Sequence, residues 1–309
     1  VERVGMAENI LITGGTGLVG SYLAQMLTRR GHNVSILSRS KSKHSGNNTI
    51  WWDPEKGLID REAISNISGV IHLAGSNITS GIWTKRGRQS LLRSRVKSGE
   101  LLFRTFSDCK AKPKTFITAS GVSYYGAITT SHVFTESDPP GSDFLANLCI
   151  EWEKIAGAFK SAGTRSVIIR TAVVLAGTDS ILQKLKIPFQ LGFSTFPGSG
   201  YQYLPWIHIK DLCSVYLRAL EDNSMEGPYN AVAPDHVTVR YFVREFARIL
   251  NRKIWLPPVP EFVIKVLPED GTRLLLEGSR ISSDKIVQTG FSFSFEELKT
   301  ALSDLLSDN

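Results

Sequence analysis

The chain has 309 residues, 42% of them apolar and 21% charged, so it can bury a sizeable core and does not read as a disordered polymer. Its net charge of +7 fits an anionic ligand or simple solubility; without a zinc finger or RNP sequence it gives no warrant for nucleic acid. Three widely spaced cysteines, Cys109, Cys149 and Cys213, form neither a disulfide framework nor a zinc pattern, so a reducing cytoplasm is expected and a metal is not.

No apolar run approaches bilayer length. The best candidate, SVIIRTAVVLAG (166–177), is short and holds Arg170, so no membrane partner is expected. The opening VERVGMAENI lacks a signal-peptide core, and Met6 is expected as the native start, with Val1–Gly5 a leader.

Strand and helix signals alternate through the first half. NILIT (9–13) and HNVSILS (32–38) read as buried strands flanking a helix with apolar residues at Leu18, Val19, Tyr22, Leu23, Met26 and Leu27, stopped at Gly31. A strand near Thr49–Trp52, the strand VIHLAG (70–75), a helix over Gln89–Phe106, and the strand KTFITAS (114–120) follow. A helix from Asn147 to Ala162 and the strand SVIIRTAVVL (166–175) close this half. The alternation predicts an α/β Rossmann fold, a doubly wound parallel sheet, with a smaller, mainly helical C-terminal substrate domain. The nucleotide-binding domain is expected at 6–175 and 205–235, and a substrate-capping region at 176–204 and 236–309. PFQLGFSTFPGSGYQYLP (188–205) reads as loops, WIHIKDLCSVYLRALE (206–221) as helix, GPYNAVA (227–233) as strand, and three further helices are expected near 240–250, 261–266 and 295–306.

ILITGGTGLVG (10–20) sets Gly14, Gly17 and Gly20 directly after a strand and at the start of a helix. Gly14 permits the tight turn, Gly17 lets the backbone approach a diphosphate, and Gly20 lets the helix pack close to the sheet. Backbone N–H groups around Thr16, Gly17, Leu18 and Val19 would meet the negative charge. At the end of the second strand, NAD-selective sites place a carboxylate on the ribose 2′-hydroxyl. Here Ser38 and Arg39 stand instead, followed by Lys41 and Lys43, and no acid occurs between Ile10 and Trp52. Arg39 can pair bidentately with a 2′-phosphate, so NADP(H) is the expected cofactor. The basic run 85–97, six cations and no acid, is expected to be a solvated helix face.

TGGTGLVG (13–20), HLAG (72–75), the Ser/Tyr stretch after TAS (118–120) and RTAVVL (170–175) resemble the extended short-chain dehydrogenase/reductase superfamily. Finer marks are Trp83, SRVKSGELL (94–102), SGVSYYG (120–126), FTESDPPGSDFLANLCIEWE (134–153), PWIHIKDL (205–212) and the segment 273–302. They resemble the atypical NAD-dependent epimerase/dehydratase branch, whose members carry a small C-terminal domain of unassigned function. The resemblance implies cofactor contacts at Leu73, Ala74, Gly75, Arg95, Ala119, Cys149, Val173 and Val174, with core packing as the alternative for the aliphatic positions. Branch members commonly have an acid after LAG; Ser76 stands there in this chain.

The superfamily's Tyr-x-x-x-Lys pair is missing. None of the eight tyrosines has a lysine four residues on, and the corresponding positions read Leu145 and Cys149, with Glu153 one turn further. A phenol of pKa about 10 needs a neighbouring cation to act as a base at neutral pH. Ser120, Tyr124 and Tyr125 are the candidate catalytic substitutes, with a plain turn of packed rings as the alternative. His208 and Asp211 are expected to be structural. Trp83, Gln202 and Trp206 are the expected substrate-lining residues, between the sheet's C-terminal edge and the smaller domain. The implied activity is an NADP-dependent oxidoreductase or epimerase of a small polar substrate, a nucleotide sugar among the candidates. The alternative is a non-catalytic NADPH-binding regulatory or scaffold protein. If the chain self-associates, a homodimer is the expected form.

Overall fold

The computed structural model describes residues 7–40, 48–76, 78, 84–109 and 112–306. Strand β1 (Asn9–Thr13) leads through the glycine turn to α1 (Leu18–Arg29), β2 (Asn33–Ser38), β3 (Asn48–Asp53), β4 (Leu58–Ile59) and β5 (Gly69–His72). Helix α2 (Lys85–Ser107), β6 (Thr115–Gly121), a 3-10 turn (Val122–Tyr125), β7 (Val133–Phe134), α3 (Phe144–Ser161) and β8 (Arg165–Thr171) follow. Next come β9 (Val173–Leu175), α4 (Ile181–Gln190), β10 (Trp206–His208), α5 (Ile209–Glu221), β11 (Gly227–Ala231) and α6 (Val239–Ile249). The C-terminal stretch holds α7 (Glu261–Ile264), α8 (Glu269–Leu276), β12 (Arg280–Ile281), α9 (Asp284–Gln288) and α10 (Leu298–Leu306).

The described residues fall into two compact units, those within 1–120, 148–169 and 213–229 forming the first and those within 121–147, 170–212 and 230–309 the second. The first is built on an eight-stranded sheet in the order β11-β8-β6-β5-β1-β2-β3-β4. Pairing is parallel from β6 through β5, β1 and β2 to β3, with β4 antiparallel at the edge. Ile10, Leu11 and Ile12 in β1 are all fully buried, the continuous apolar run of a strand covered on both faces. Helix α1 turns Gly20, Leu23, Ala24 and Leu27 inward at helical spacing. On the other side, Phe116 of β6 stacks on Phe159 of α3 with ring centroids 3.9 Å apart. Arg165 at the start of β8 staples the C-terminal end of α5, donating to the carbonyls of Ala219 at 2.9 Å and Leu220 at 3.1 Å.

In the second unit, β9 runs parallel to β10 and β7 parallel to β12. His208 stacks on Phe295 at 3.8 Å, and Asp211 accepts from the backbone N–H groups of Ser294 and Phe295 at 2.8 and 3.0 Å. Those two side chains therefore anchor the C-terminal segment.

The expected strand 166–175 is broken. At Ala172 the backbone changes partner: the Ala172 N–H bonds to Ala231 O and the Val173 N–H to Pro205 O, so β9 leaves the main sheet. Residues 206–208, expected to be helical, are the strand that receives it. The expected loop region 188–205 begins inside α4, which runs on to Gln190 with Pro188 in its last turn. The division of the chain also differs from the sequence-based boundaries: 121–147, 170–175, 205–212 and 230–235 group with the second unit. The pairing of β7 with β12 supplies the reason for 121–147. No helix among the described residues is long and apolar enough to cross a membrane.

The closeness of α1 to β1 is testable. A Cβ on Gly20 would run into the Gly14 carbonyl oxygen and lie 2.6 Å from the Gly15 Cα, both backbone atoms that cannot swing aside. Gly20→Ala is expected to cost roughly 1–3 kcal/mol as overpacking, whereas Gly157→Ala in α3, with nothing within 4 Å of its Cβ, should gain about 0.5–1 kcal/mol. Urea midpoints of the two variants check this; equal effects would contradict it.

Candidate functional site

The site in the first unit is built where the strand order reverses. From β1 the chain steps to β2 and β3 on one side, then to β5 and β6 on the other, opening a crevice at the strands' C-terminal ends. Gly14 leaves β1 with φ +69, a conformation L side chains rarely adopt, and a Cβ there would meet the Leu73 carbonyl oxygen at 2.9 Å. Helix α1 then starts with Gly17 as a bare cap, no side chain accepting from its first turn and no acid within it. The first backbone bond into the helix is Ser21 N–H to Gly17 O. The N–H groups of Leu18 and Val19 thus lie at a half-buried, positively polarised end while Thr16 and Gly17 are exposed.

The next strand end is fixed by one hydroxyl. Thr13 Oγ1, fully buried, accepts from the N–H groups of Leu73 and Ala74 at 3.1 and 3.0 Å and lies 2.8 Å from His72 Nδ1. Its own proton therefore goes to His72 Nδ1. Ser98 Oγ, which donates to the Ser94 or Arg95 carbonyl, is left to accept from His72 Nε2 at 3.4 Å. The imidazole is consequently neutral with its proton on Nε2, and burial holds its pKa down at about 4.

Beyond it, Gly75 lies against Arg95: a Cβ on Gly75 would sit 2.9 Å from the guanidinium carbon. Arg95 is 4% exposed, stacks 4.6 Å over Trp152, and donates to Leu91 O and Ser76 O, both at 3.1 Å. Its Nε is buried with no hydrogen-bond partner among the described residues. Burial lowers its pKa to about 10, with neighbouring Cys149 partly opposing that shift. Of the other cations of the 85–97 run, Lys85, Arg86 and Arg93 are exposed and Arg88 and Lys97 half-buried; Arg93 and Lys97 both reach Glu55, at 2.9 and 2.7 Å.

At the end of β2, Ser38 is buried and its Oγ accepts from Ser40 N–H, while the Arg39 carbonyl accepts from Trp51 Nε1 at 3.2 Å. That indole fixes the backbone and leaves the Arg39 side chain exposed. Lys41, Lys43 and Trp83 lie outside the described residues. At the end of β6, Ala119 is buried and Ser120, 4% exposed, donates from Oγ to Glu153 Oε1 at 2.7 Å. With strands about 4.8 Å apart, Ser120 stands about 10 Å from the glycine turn, on the side opposite Arg39. Sequence reasoning passed over Glu153 as a functional residue, although its spacing, four residues beyond Cys149, put it on the same helix face.

Several expectations on the second unit need correction. Tyr125 is 1% exposed; its hydroxyl donates to Asn230 Oδ1 at 2.8 Å and accepts from Arg170 Nη1 at 2.9 Å, and burial pushes its pKa up to about 12. It is a buried structural lock, not a loop acid. Tyr124 is half-buried, with Arg170 3.4 Å over its ring. Gln202 is buried, its amide donating to Pro197 O and Leu275 O, and Trp206 is wholly buried with Nε1 on Asp235 O. Neither offers surface to a substrate. Val173 and Val174 are half-buried, paired with Trp206 and Ile207.

Residues 10–232 match the model of the NAD dependent epimerase/dehydratase family. The chain belongs to that family. Residues 259–305 match a second model, a domain of unknown function termed DUF1731. The Bacillus subtilis (strain 168) epimerase family protein YfhF is 34% identical over 302 residues, 97% of this chain and 98% of its own. The human epimerase family protein SDR39U1, crystallised with NADPH, superposes with a TM-score of 0.85 at 31% identity, covering 97% of this chain and 100% of that one. A nucleoside-diphosphate sugar epimerase from Corynebacterium glutamicum gives 0.79 at 27% identity, over 97% of this chain and 58% of that one. UDP-glucose 4-epimerases at 18% identity share the fold alone.

The His72 assignment carries a pH consequence. A histidine with a folded-state pKa of about 4 against 6.5 unfolded stabilises the neutral-pH fold, and that stability is lost as pH falls from about 6.5 to 4. The difference corresponds to about 3 kcal/mol. Urea midpoints measured from pH 7.5 to 4.5 should fall in this window, and fall less in His72→Asn. An equal slope in both proteins would contradict the assignment.

Proposed function

We propose that the chain binds NADP(H) at the first unit's crevice and acts as an oxidoreductase or epimerase on a small polar substrate, nucleotide sugars being the first class to test. Arg39 carries the reading: an exposed guanidinium at the end of β2, where a carboxylate would select against a 2′-phosphate. The residues present fit the group. Gly14 and Gly75 are packed so closely against Leu73 and Arg95 that a Cβ would collide, the exposed Gly17 caps α1 with no side chain, and Arg95 Nε is buried without a partner among the described residues. The relative crystallised with NADPH supports the same reading.

In this arrangement the N–H groups of Thr16–Val19 hold the diphosphate, Arg39 the 2′-phosphate, and Leu73–Gly75 flank the adenosine side. Arg95, beneath Gly75, adds positive potential to the crevice. When bound, the nicotinamide supplies the hydride acceptor or donor. A second reading, a non-catalytic NADPH-binding protein, is favoured by Leu145 and Cys149 standing where the family's usual tyrosine and lysine would be.

Fluorescence titration with NADPH and NADH tests the first claim. Arg39→Ala should weaken NADPH about 10- to 100-fold, the range of a lost charge-assisted pair, and leave NADH nearly unchanged. Equal losses for both nucleotides would overturn the assignment. Consumption of NADPH with a panel of nucleotide-sugar and carbonyl substrates separates the enzyme from the binding protein.

A further inference from the structure

We propose that Ser120 and Glu153 form the proton-transfer pair of the nucleotide site, in place of the absent tyrosine and lysine. The proposal rests on the NADP(H) reading above. Ser120 is the penultimate residue of β6 and its Oγ donates to Glu153 Oε1 at 2.7 Å, so hydroxyl and carboxylate already share a proton path. Their placement matters as much. A dinucleotide with its 2′-phosphate at Arg39 beyond β2 and its diphosphate at the glycine turn after β1 must lay its other end over β5 and β6. Ser120 stands there.

Helix α3 presents Leu145, Cys149 and Glu153 at successive turns of one face. Leucine moves no proton. Glu153 can, and it is half-buried, so it borders both the buried serine and water.

A serine hydroxyl is a poor base alone but passes a proton without holding net charge. In the oxidative direction the substrate's hydroxyl proton moves to Ser120 Oγ as the serine's own proton moves to Glu153 Oε1. The carbinol C–H bond breaks, and its electron pair leaves as hydride to the oxidised nicotinamide. The products are a carbonyl, the reduced nucleotide and protonated Glu153, which returns its proton to water. Reduction runs the same steps backwards, from Glu153 through Ser120 to the substrate carbonyl.

A Ser120–Glu153 tie remote from the nicotinamide would be indifferent to the redox state of the nucleotide. A carboxylate facing the nicotinamide would not be, because the oxidised ring carries a positive charge and the reduced ring none. The full chain, labelled with ¹³C at glutamate carboxyls, is titrated by NMR with saturating NADP⁺ and again with NADPH. The Glu153 signal is identified by its loss in Glu153→Gln, or in Glu153→Asp should the first fail to fold. The midpoint is expected about 0.5–1 pH unit lower with NADP⁺, about a three- to tenfold change in proton affinity. Identical midpoints with both nucleotides bound would overturn the pair and leave the cofactor reading standing. Failure of both nucleotides to bind would overturn the cofactor reading and the pair with it.

Discussion

The contact of Gly20 with the Gly14 carbonyl sets the distance between α1 and β1, and the rest of the crevice is laid out from it. Because the helix begins so close to the strand, its unpaired N–H groups emerge at the sheet's C-terminal edge instead of in open solvent. No side chain caps them and no acid neutralises them. A glycine cap gives up only about a few tenths of a kcal/mol relative to a Ser, Thr, Asn or Asp cap, so the terminus stays open to an anionic ligand at small cost.

The neighbouring strand end shows the same logic in side chains. Thr13 satisfies two backbone donors with one oxygen and fixes His72 in a single tautomer, so the Leu73–Gly75 backbone is held without a charged group. Arg95 is the exception. A buried guanidinium with an unbonded Nε costs stability, and no carboxylate among the described residues offsets it.

Much of this was legible in the sequence because glycine spacing, strand periodicity and missing acids are local signals. Gly14 needs a positive φ wherever it lies, and an Arg39 in place of a carboxylate is visible without coordinates. The breaks were tertiary. Nothing local marks Ala172 as the residue where one strand becomes two, since both halves are equally apolar. Trp206 looked like a pocket aromatic and Tyr125 like a catalytic substitute because sequence cannot tell an accessible ring from a buried one; their partners, Asp235 and Asn230, lie 29 and 105 residues away. Glu153 was in plain sight, but its role depends on meeting Ser120 across 33 residues.

The central claim is that this crevice recognises a 2′-phosphate at Arg39 together with a diphosphate at the glycine turn. Phosphorus NMR of NADPH titrated with the protein reads both ends of that contact in one experiment. The account predicts that the diphosphate and 2′-phosphate resonances all shift on binding, with the 2′-phosphate held dianionic to lower pH than in free NADPH. A bound nucleotide whose diphosphate signals move while its 2′-phosphate titrates as in free solution would contradict it.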